Sequence, residues 1–299
     1  MIKSDRAKAL RCAISAAQTA GALMRANFRR PKKINESSQH DIKLELDVRC
    51  QKGIEKALLK SFPSFSILGE EGIVGDQRSE FRWVVDPIDG TVNFTYGIPH
   101  TCVSIALQQR IDGNGGALGT ARPTMASGGS RAGRRSIGDA ESAKSAAPSP
   151  DPRYQTIAGV VYDPFCNELW TGTIGEPARL NGRIIHVSKR AKLEEAIVSL
   201  GFAKYSSTLQ TMLPLFNLLI HRVRKIRLMG AAALSMVYVA SGRFDAYTET
   251  GVRLWDIAAG GLIIECAGGE FFRERVEGQH TYRIIANNGR MRTAIEQLG

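Results

Sequence analysis

No C-x-x-C pair occurs among the five cysteines of this chain. That spacing excludes a zinc ribbon, and the odd count argues against a disulfide framework. Reduced thiols, and with them a cytoplasmic location, are the expectation. No apolar run approaches the roughly 18–20 residues that a membrane span requires, so no membrane association is expected. No apolar signal core follows Met1-Ile2-Lys3-Ser4-Asp5-Arg6 either, so export through a standard signal peptide is not expected. Negative charge is scarce: 29 Asp and Glu face 40 Lys and Arg, for a net charge of +11. Aromatic residues make up only 7% and do not interleave with the basic ones. The basic residues are scattered, apart from Arg29-Arg30 with Lys32-Lys33 and the run from His221 to Arg227. With no zinc-finger or RNA-recognition signature, nucleic acid is not expected as a partner. The charge then suits an anionic small substrate or simple solubility.

What is present is the make-up of a globular protein: 299 residues, 43% of them hydrophobic. Arg6 to Phe28 and Asp41 to Lys60 read as amphipathic helices, and Pro63 closes the second. Strands are expected at Phe65–Leu68, Phe81–Val85, Val103–Gln108 and Thr156–Tyr162. Between the last two, 26 of the 43 residues from Asp112 to Tyr154 are Gly, Ala, Ser or Pro. Such a stretch cannot offset its ordering entropy by burial, and reads as a disordered loop inserted into a hairpin. Asn181-Gly182 marks a further hairpin, Gly230 to Val239 a small-residue helix, and Phe244 to Thr248 a strand. Leu254 to Leu262 reads as loop into helix. Hairpins early and alternating strands and helices late predict an α+β half followed by an α/β half. The boundary is placed near Ala191, giving 1–190 and 191–299.

Chemistry concentrates on carboxylates at strand ends. Asp86 and Asp89 follow an apolar strand, with Pro87 interrupting it and Gly90 allowing a tight turn. Two carboxylates three apart on such a turn face one point, where they repel and raise each other's pKa unless a cation joins them. Hard oxygen ligands suit Mg²⁺. Asp-Pro-x-Asp-Gly-Thr is also a common turn with a helix cap, so the motif alone leaves both readings open. Glu70 and Glu71 after Gly69, Asp256 after Trp255, and Asp47 among Leu44, Leu46 and Val48 are each weak signals alone. Together they form a set.

Gly69-Glu70-Glu71, the run Trp83 to Phe94, the run Trp255 to Gly260 and Ala267-Gly268-Gly269 resemble the inositol monophosphatase family. The resemblance extends over nearly the whole chain except the inserted stretch. It implies a layered α/β/α/β/α sandwich and a Mg²⁺-dependent, lithium-sensitive phosphomonoesterase acting on a small phosphorylated alcohol such as inositol monophosphate. It further implies two or three Mg²⁺ ions, with Mn²⁺ able to substitute, and a homodimer. By position, Glu70, Asp86, Asp89, Asp256 and the carbonyl of Ile88 would hold metal, and Asp47 would support a weaker ion. Glu70 and Thr91 would orient a metal-activated water, with no covalent intermediate. Gly90 and Thr91 would receive the phosphate through their amides, at a helix N-terminus. Gly230, Ala231, Ala232, Glu249 and Asp256 would contact the rest of the substrate, and Arg253 would tune its choice.

Two rivals from other classes bear on this reading. A haloacid-dehalogenase-type phosphatase carries Asp-x-Asp and an aspartyl nucleophile, whereas the spacing here is Asp-x-x-Asp. Some bacterial proteins resembling this family act in transcription antitermination as binding proteins, and the complete ligand set argues for an enzyme instead. Within the family, histidinol phosphate is the alternative substrate, since Glu249 would accept from a ring hydroxyl or an ammonium alike.

Overall fold

A computed structural model of the chain describes residues 1–37, 42–111, 153–202 and 206–291. The chain opens with helix α1 (Lys3–Asn27), whose buried stripe is almost all alanine: Ala9, Ala13, Ala16, Ala17 and Ala20. Small side chains let it lie close to the layer beneath. A two-stranded ribbon, β1 (Ile34–Ser37) and β2 (Ile42–Leu44), leads into α2 (Glu45–Ser61). The helix expected from Asp41 therefore starts later. Ile42 to Leu44 pair with β1, and Asp47 accepts the Leu44 N–H at 2.7 Å, a capping contact that sets the helix start.

Next come β3 (Ser66–Gly69), β4 (Gly72–Val74), β5 (Phe81–Asp89), the short α3 (Thr91–Thr95), β6 (Cys102–Arg110), β7 (Tyr154–Asp163), β8 (Glu168–Thr173), β9 (Arg179–Leu180) and β10 (Arg183–Ile184). They form an eight-stranded sheet in the order β10-β9-β8-β7-β6-β5-β3-β4, antiparallel except where β3 runs parallel to β5. The remaining elements are β11 (Ile197–Leu200), α4 (Ser206–Ile220), β12 (Lys225–Arg227), α5 (Ala232–Ala240), β13 (Ala246–Arg253), α6 (Leu254–Cys266), β14 (Glu270–Arg275) and β15 (Thr281–Asn287). Their five strands form a mixed sheet in the order β12-β11-β13-β15-β14.

Side-chain alternation along β5 reveals the layering. Trp83 and Val85 join a core with α1 and α2, while Val84 joins a core with α5 and α6. Helices α5 and α6 also contact β13 and β15 of the smaller sheet, whose far side carries α4. The order is thus α1/α2, eight-stranded sheet, α5/α6, five-stranded sheet, α4: the layered α/β/α/β/α sandwich expected. Helix α6 lies so close to β7 that a Cβ at Gly159 would stand 2.9 Å from the Ala259 carbonyl.

Three local expectations need correction. Strand β5 continues through Pro87 to Asp89, because a register shift against β6 between Asp86 and Asp89 absorbs the proline as a bulge. Strand β13 continues to Arg253, with a second shift between Thr250 and Val252 around Gly251. Tyr154, expected in the inserted loop, is the first residue of β7 and pairs with Arg110. The rest of that expected disordered loop, 112–152, lies outside the described residues.

Candidate active site

Two strand ends and two helix starts meet at one cavity of about 410 Å³. The end of β3 brings Glu70, whose N–H donates to the Val85 carbonyl. The bulge of β5 brings Asp86, Ile88 and Asp89 to the lining; β13 adds Glu249, and the first turn of α6 adds Asp256. Among the described residues, five acids and no Lys, Arg or His line it. Asp86 and Asp89 are buried, and Glu70, Glu249 and Asp256 half-buried.

Each side chain is locally fixed. Asp86 accepts the Ile88 N–H at 2.9 Å across the bulge. Asp89 reaches across the sandwich and accepts the N–H groups of Ala232 (3.0 Å) and Ala233 (2.9 Å), so it caps α5 from the other sheet. The buried Cys102 thiol also donates to it at 3.5 Å. Asp256 accepts the Arg253 N–H at 2.8 Å, the same third-position capping contact that Asp47 makes at α2. The Thr91 hydroxyl donates to the Ile88 carbonyl at 2.9 Å. Gly90, at φ +87°, turns the chain there, and a Cβ on it would meet the carbonyls of His100 and Gly230 near 3.1–3.2 Å.

The electrostatics follow from this convergence. Burial, then the neighbouring Asp256, Asp47 and Glu71, push Glu70 well above the usual carboxylate range. Burial and Glu70, Asp89 and Asp256 do the same to Asp86. Burial together with Asp89 raises Asp256. Asp89 is pushed to about 6 by burial, although the Ala232 and Ala233 amides favour its charge. That is the behaviour of carboxylates gathered to share a cation, and an all-oxygen donor set fits a hard divalent ion such as Mg²⁺. Among the described residues no three His, Cys, Asp or Glu side chains already stand as a finished metal cage. The acids match such an ion in kind.

Of the residues singled out in the sequence, Gly90, Thr91, Gly230, Ala231 and Ala232 line the same cavity as the acids. Asp47 does not; it is 2% exposed, and its charge helps to raise Glu70. Two expectations change in detail. Helix α3 is only five residues long, so the phosphate-binding argument rests on individual amides and not on a helix dipole. The Arg253 guanidinium is tied to the Gln279 carbonyl and the Thr281 hydroxyl and lies outside the acidic cavity.

Several participants escape a reading of the sequence. Gln51 accepts the Glu71 N–H at 2.8 Å, and its amide lies where a Cβ on Gly69 would sit. The Tyr247 hydroxyl donates to Glu249, which burial pushes up to about 7. A Cβ on Gly201 would stand 1.6 Å from Glu249 Oε2, so only glycine leaves room for that carboxylate. Asn93 lies inside the quoted motif, and its amide donates to the Met229 carbonyl at 2.8 Å, tying α3 to the Gly230 turn.

Comparison with known proteins gives the site its context. The sequence profile of the Inositol monophosphatase family matches residues 5–119 and 153–297. "Nus factor SuhB" of Pasteurella multocida is 34% identical over 264 residues, covering 87% of this chain and 83% of that protein. "Inositol monophosphatase 1" of Solanum lycopersicum is 32% identical over 267 residues, covering 87% and 82%. Among solved structures, inositol monophosphatase from Anabaena (Nostoc) sp. PCC 7120 superposes with a TM-score of 0.72 at 28% identity, covering 98% of this chain and 96% of that one.

These relatives overturn one expectation. The reading against a nucleic-acid partner rested on missing recognition motifs, yet relatives from Pasteurella multocida, Xylella fastidiosa and Escherichia coli all carry the name Nus factor. A surface role on this scaffold needs no zinc finger or recognition helix, so the absence of those motifs excluded too much. Among the described residues no helix is long and apolar enough to cross a membrane. With the profile matched along both stretches and the fold shared, the chain belongs to the inositol monophosphatase family.

Proposed function

We propose that this chain is a Mg²⁺-dependent phosphomonoesterase that hydrolyses a small phosphorylated alcohol such as inositol monophosphate. The observation that carries the reading is the cavity itself: five acids from distant parts of the chain meet there, with no basic lining residue among those described. Glu70, Asp86, Asp89, Asp256 and the Ile88 carbonyl would hold two Mg²⁺ ions, with Asp47 supporting a weaker third. When bound, Mg²⁺ neutralises phosphate charge and makes water acidic enough to act near neutral pH.

The chain's own groups supply the rest. The Thr91 hydroxyl commits its proton to the Ile88 carbonyl and so presents lone pairs to an incoming water. Glu70 takes the proton that water gives up. The amides of Gly90 and Thr91 receive phosphate oxygens, and Glu249, held by the Tyr247 hydroxyl, accepts a hydroxyl of the alcohol. Gly230, Ala231 and Ala232 shape the wall beside it, with the Ala232 N–H committed to Asp89. Water oxygen bonds to phosphorus as the phosphorus–alcohol oxygen bond breaks, the departing alkoxide takes up a proton from solvent water to leave as the alcohol, and no enzyme–phosphate bond forms. Lithium inhibition, a homodimer and a cytoplasmic location belong to the same proposal.

Phosphate release from a panel of monoesters with Mg²⁺, with and without lithium, tests it. Turnover of inositol monophosphate that chelator abolishes is the expected result; no turnover of any ester overturns it. The relatives' shared name supports a second reading, a Nus-factor role beside or in place of catalysis. Retention of the transcription machinery by a turnover-dead Asp256→Asn variant would support that role as independent of chemistry.

A further inference from the structure

Charge is unevenly spread over the sandwich. Residues 1–61, which build the outer α1/α2 layer, hold 14 Lys and Arg against 6 Asp and Glu, or +8 of the net +11. Helix α2 sets Arg49, Lys52, Lys56 and Lys60 at steps of three, four and four residues, which puts them in one row about 16 Å long. All four are exposed. Helices α1 and α2 run antiparallel: the Cys12 thiol meets the Ala57 carbonyl at 3.6 Å, and the Cys50 thiol meets that of Ala20 at 4.0 Å. The exposed Arg11 therefore lies level with the Lys56–Lys60 end of the row, and Arg29-Arg30 follow α1 at the Arg49 end. Among the described residues none of Arg11, Arg49, Lys52, Lys56 and Lys60 makes an ion pair. The acids of the layer are occupied or set aside. Glu45 pairs with Lys33 and feels Arg49, Glu36 pairs with Lys43, and Glu55 accepts the Gln51 amide. Asp47 is buried, and Asp5 stands in the first turn of α1. Gly53 shares the exposed face of α2. Glycine weakens a helix interior, and packing gives no reason for it here, since a Cβ would meet nothing within 4 Å. It leaves a shallow furrow between the helices, level with the exposed Ser15 and Thr19.

Cations repeated about one helical turn apart repel one another and attract a partner whose negative charge is equally regular. A membrane surface needs apolar side chains that insert, and a folded acidic protein needs an aromatic or aliphatic anchor. No large apolar residue of α1 or α2 is exposed. Single strands are held by stacking on aromatic rings, and neither helix contains one. Helices lying flat in a packed layer do not enter a deep groove to read base edges. They can lie across the wide, shallow minor groove of duplex RNA, where cations meet phosphates and small polar groups such as Ser15 meet 2′-hydroxyls. We propose that the α1/α2 face binds double-stranded RNA through its backbone, without sequence preference and independently of the activity assigned to the acidic cavity.

Fluorescence anisotropy of a labelled RNA duplex of about 20 base pairs, titrated with the full-length protein in chelator, tests this. Five neutralised phosphates should weaken binding roughly 500-fold between 50 and 200 mM KCl. The double variant Lys52→Ala/Lys56→Ala should lower the slope of log affinity against log salt by about two. Arg222→Ala/Arg224→Ala, which removes the same charge beside β12, should leave that slope unchanged. These side chains are exposed, so folding is retained, as urea unfolding checks. Gly53→Met favours the helix but fills the furrow, and should weaken binding about tenfold, the loss of one or two phosphate contacts. The proposal is overturned by the absence of saturable binding at 50 mM KCl, or by an equal fall in slope for both double variants. Unchanged affinity in Gly53→Met overturns the furrow's part in it. Equal affinity for a DNA duplex of the same length overturns the RNA assignment. Tighter, lysine-dependent binding to vesicles of anionic lipid than to the duplex overturns a nucleic acid altogether.

Discussion

Replacing Glu249 by glutamine in the metal-free protein isolates the energetic cost of gathering acids in the cavity. Burial lifts the Glu249 carboxyl from 4.5 to about 7. A raised carboxylate pKa contributes stability that is complete below pH 4.5 and is lost as pH rises through 7. At 1.36 kcal/mol per unit, keeping Glu249 ionised above pH 8 costs the fold about 2–3 kcal/mol, allowing for its partial contact with water. Glutamine retains an oxygen for the Tyr247 hydroxyl but introduces an amide donor without a built partner, a cost of about 1 kcal/mol. The variant should therefore be about 1 kcal/mol less stable than the parent at pH 4 and about 1–2 kcal/mol more stable at pH 8.5. Urea unfolding in chelator at both pH values measures this difference of differences. If Glu249→Gln shifts stability equally at the two pH values, the carboxylate is not strained by its surroundings and the electrostatic account of the cavity is wrong.

Four further outcomes follow from the same geometry. Mg²⁺ uptake should weaken as pH falls through about 6, where Asp89 gains its proton and ceases to be a ligand; calorimetry between pH 5 and 8 reads this, and pH-independent affinity would remove Asp89 from the ligand set. Asp256→Asn and Asp89→Asn should each cost several orders of magnitude in phosphate release, whereas Asp89→Ala should in addition lose about 1–2 kcal/mol of stability, because Asp89 also caps α5. Gly201→Ala should reduce kcat/KM for inositol monophosphate at least tenfold by forcing Glu249 aside, and a normal value would mean that Glu249 takes no part in substrate binding. Thr91→Ala should keep Mg²⁺ affinity yet lose turnover, and unchanged kinetics would remove its role in orienting water.

The elements that a reading of the chain finds are those whose signals are local. Asp86 and Asp89 stand out because proline and glycine mark the turn around them, and Asp256 because it opens a helix behind a tryptophan. The alternation of β6 and the apolar period of α1 are likewise written within a dozen residues. What stays hidden depends on contacts between distant segments. Asp89 looks like a turn residue until α5, about 140 positions later, presents its first amides. Gln51 and Gly201 carry no motif, and they matter only because Gly69 and Glu249 occupy the adjoining space. Pro87 misleads in the opposite sense, since a bulge lets a strand carry a residue that local rules treat as a stop.

The β6–β7 hairpin has a practical consequence. Its strands are paired from Val103 opposite Tyr162 to Arg110 opposite Tyr154, while Asp89 adjoins Cys102 at the other end. Eight steps of strand put about 27 Å between that ligand and the tip. Cargo spliced between Ile111 and Arg153, such as a fluorophore tag or an affinity handle, would hang well clear of the acids, which makes this tip the natural attachment port for following the protein in cells.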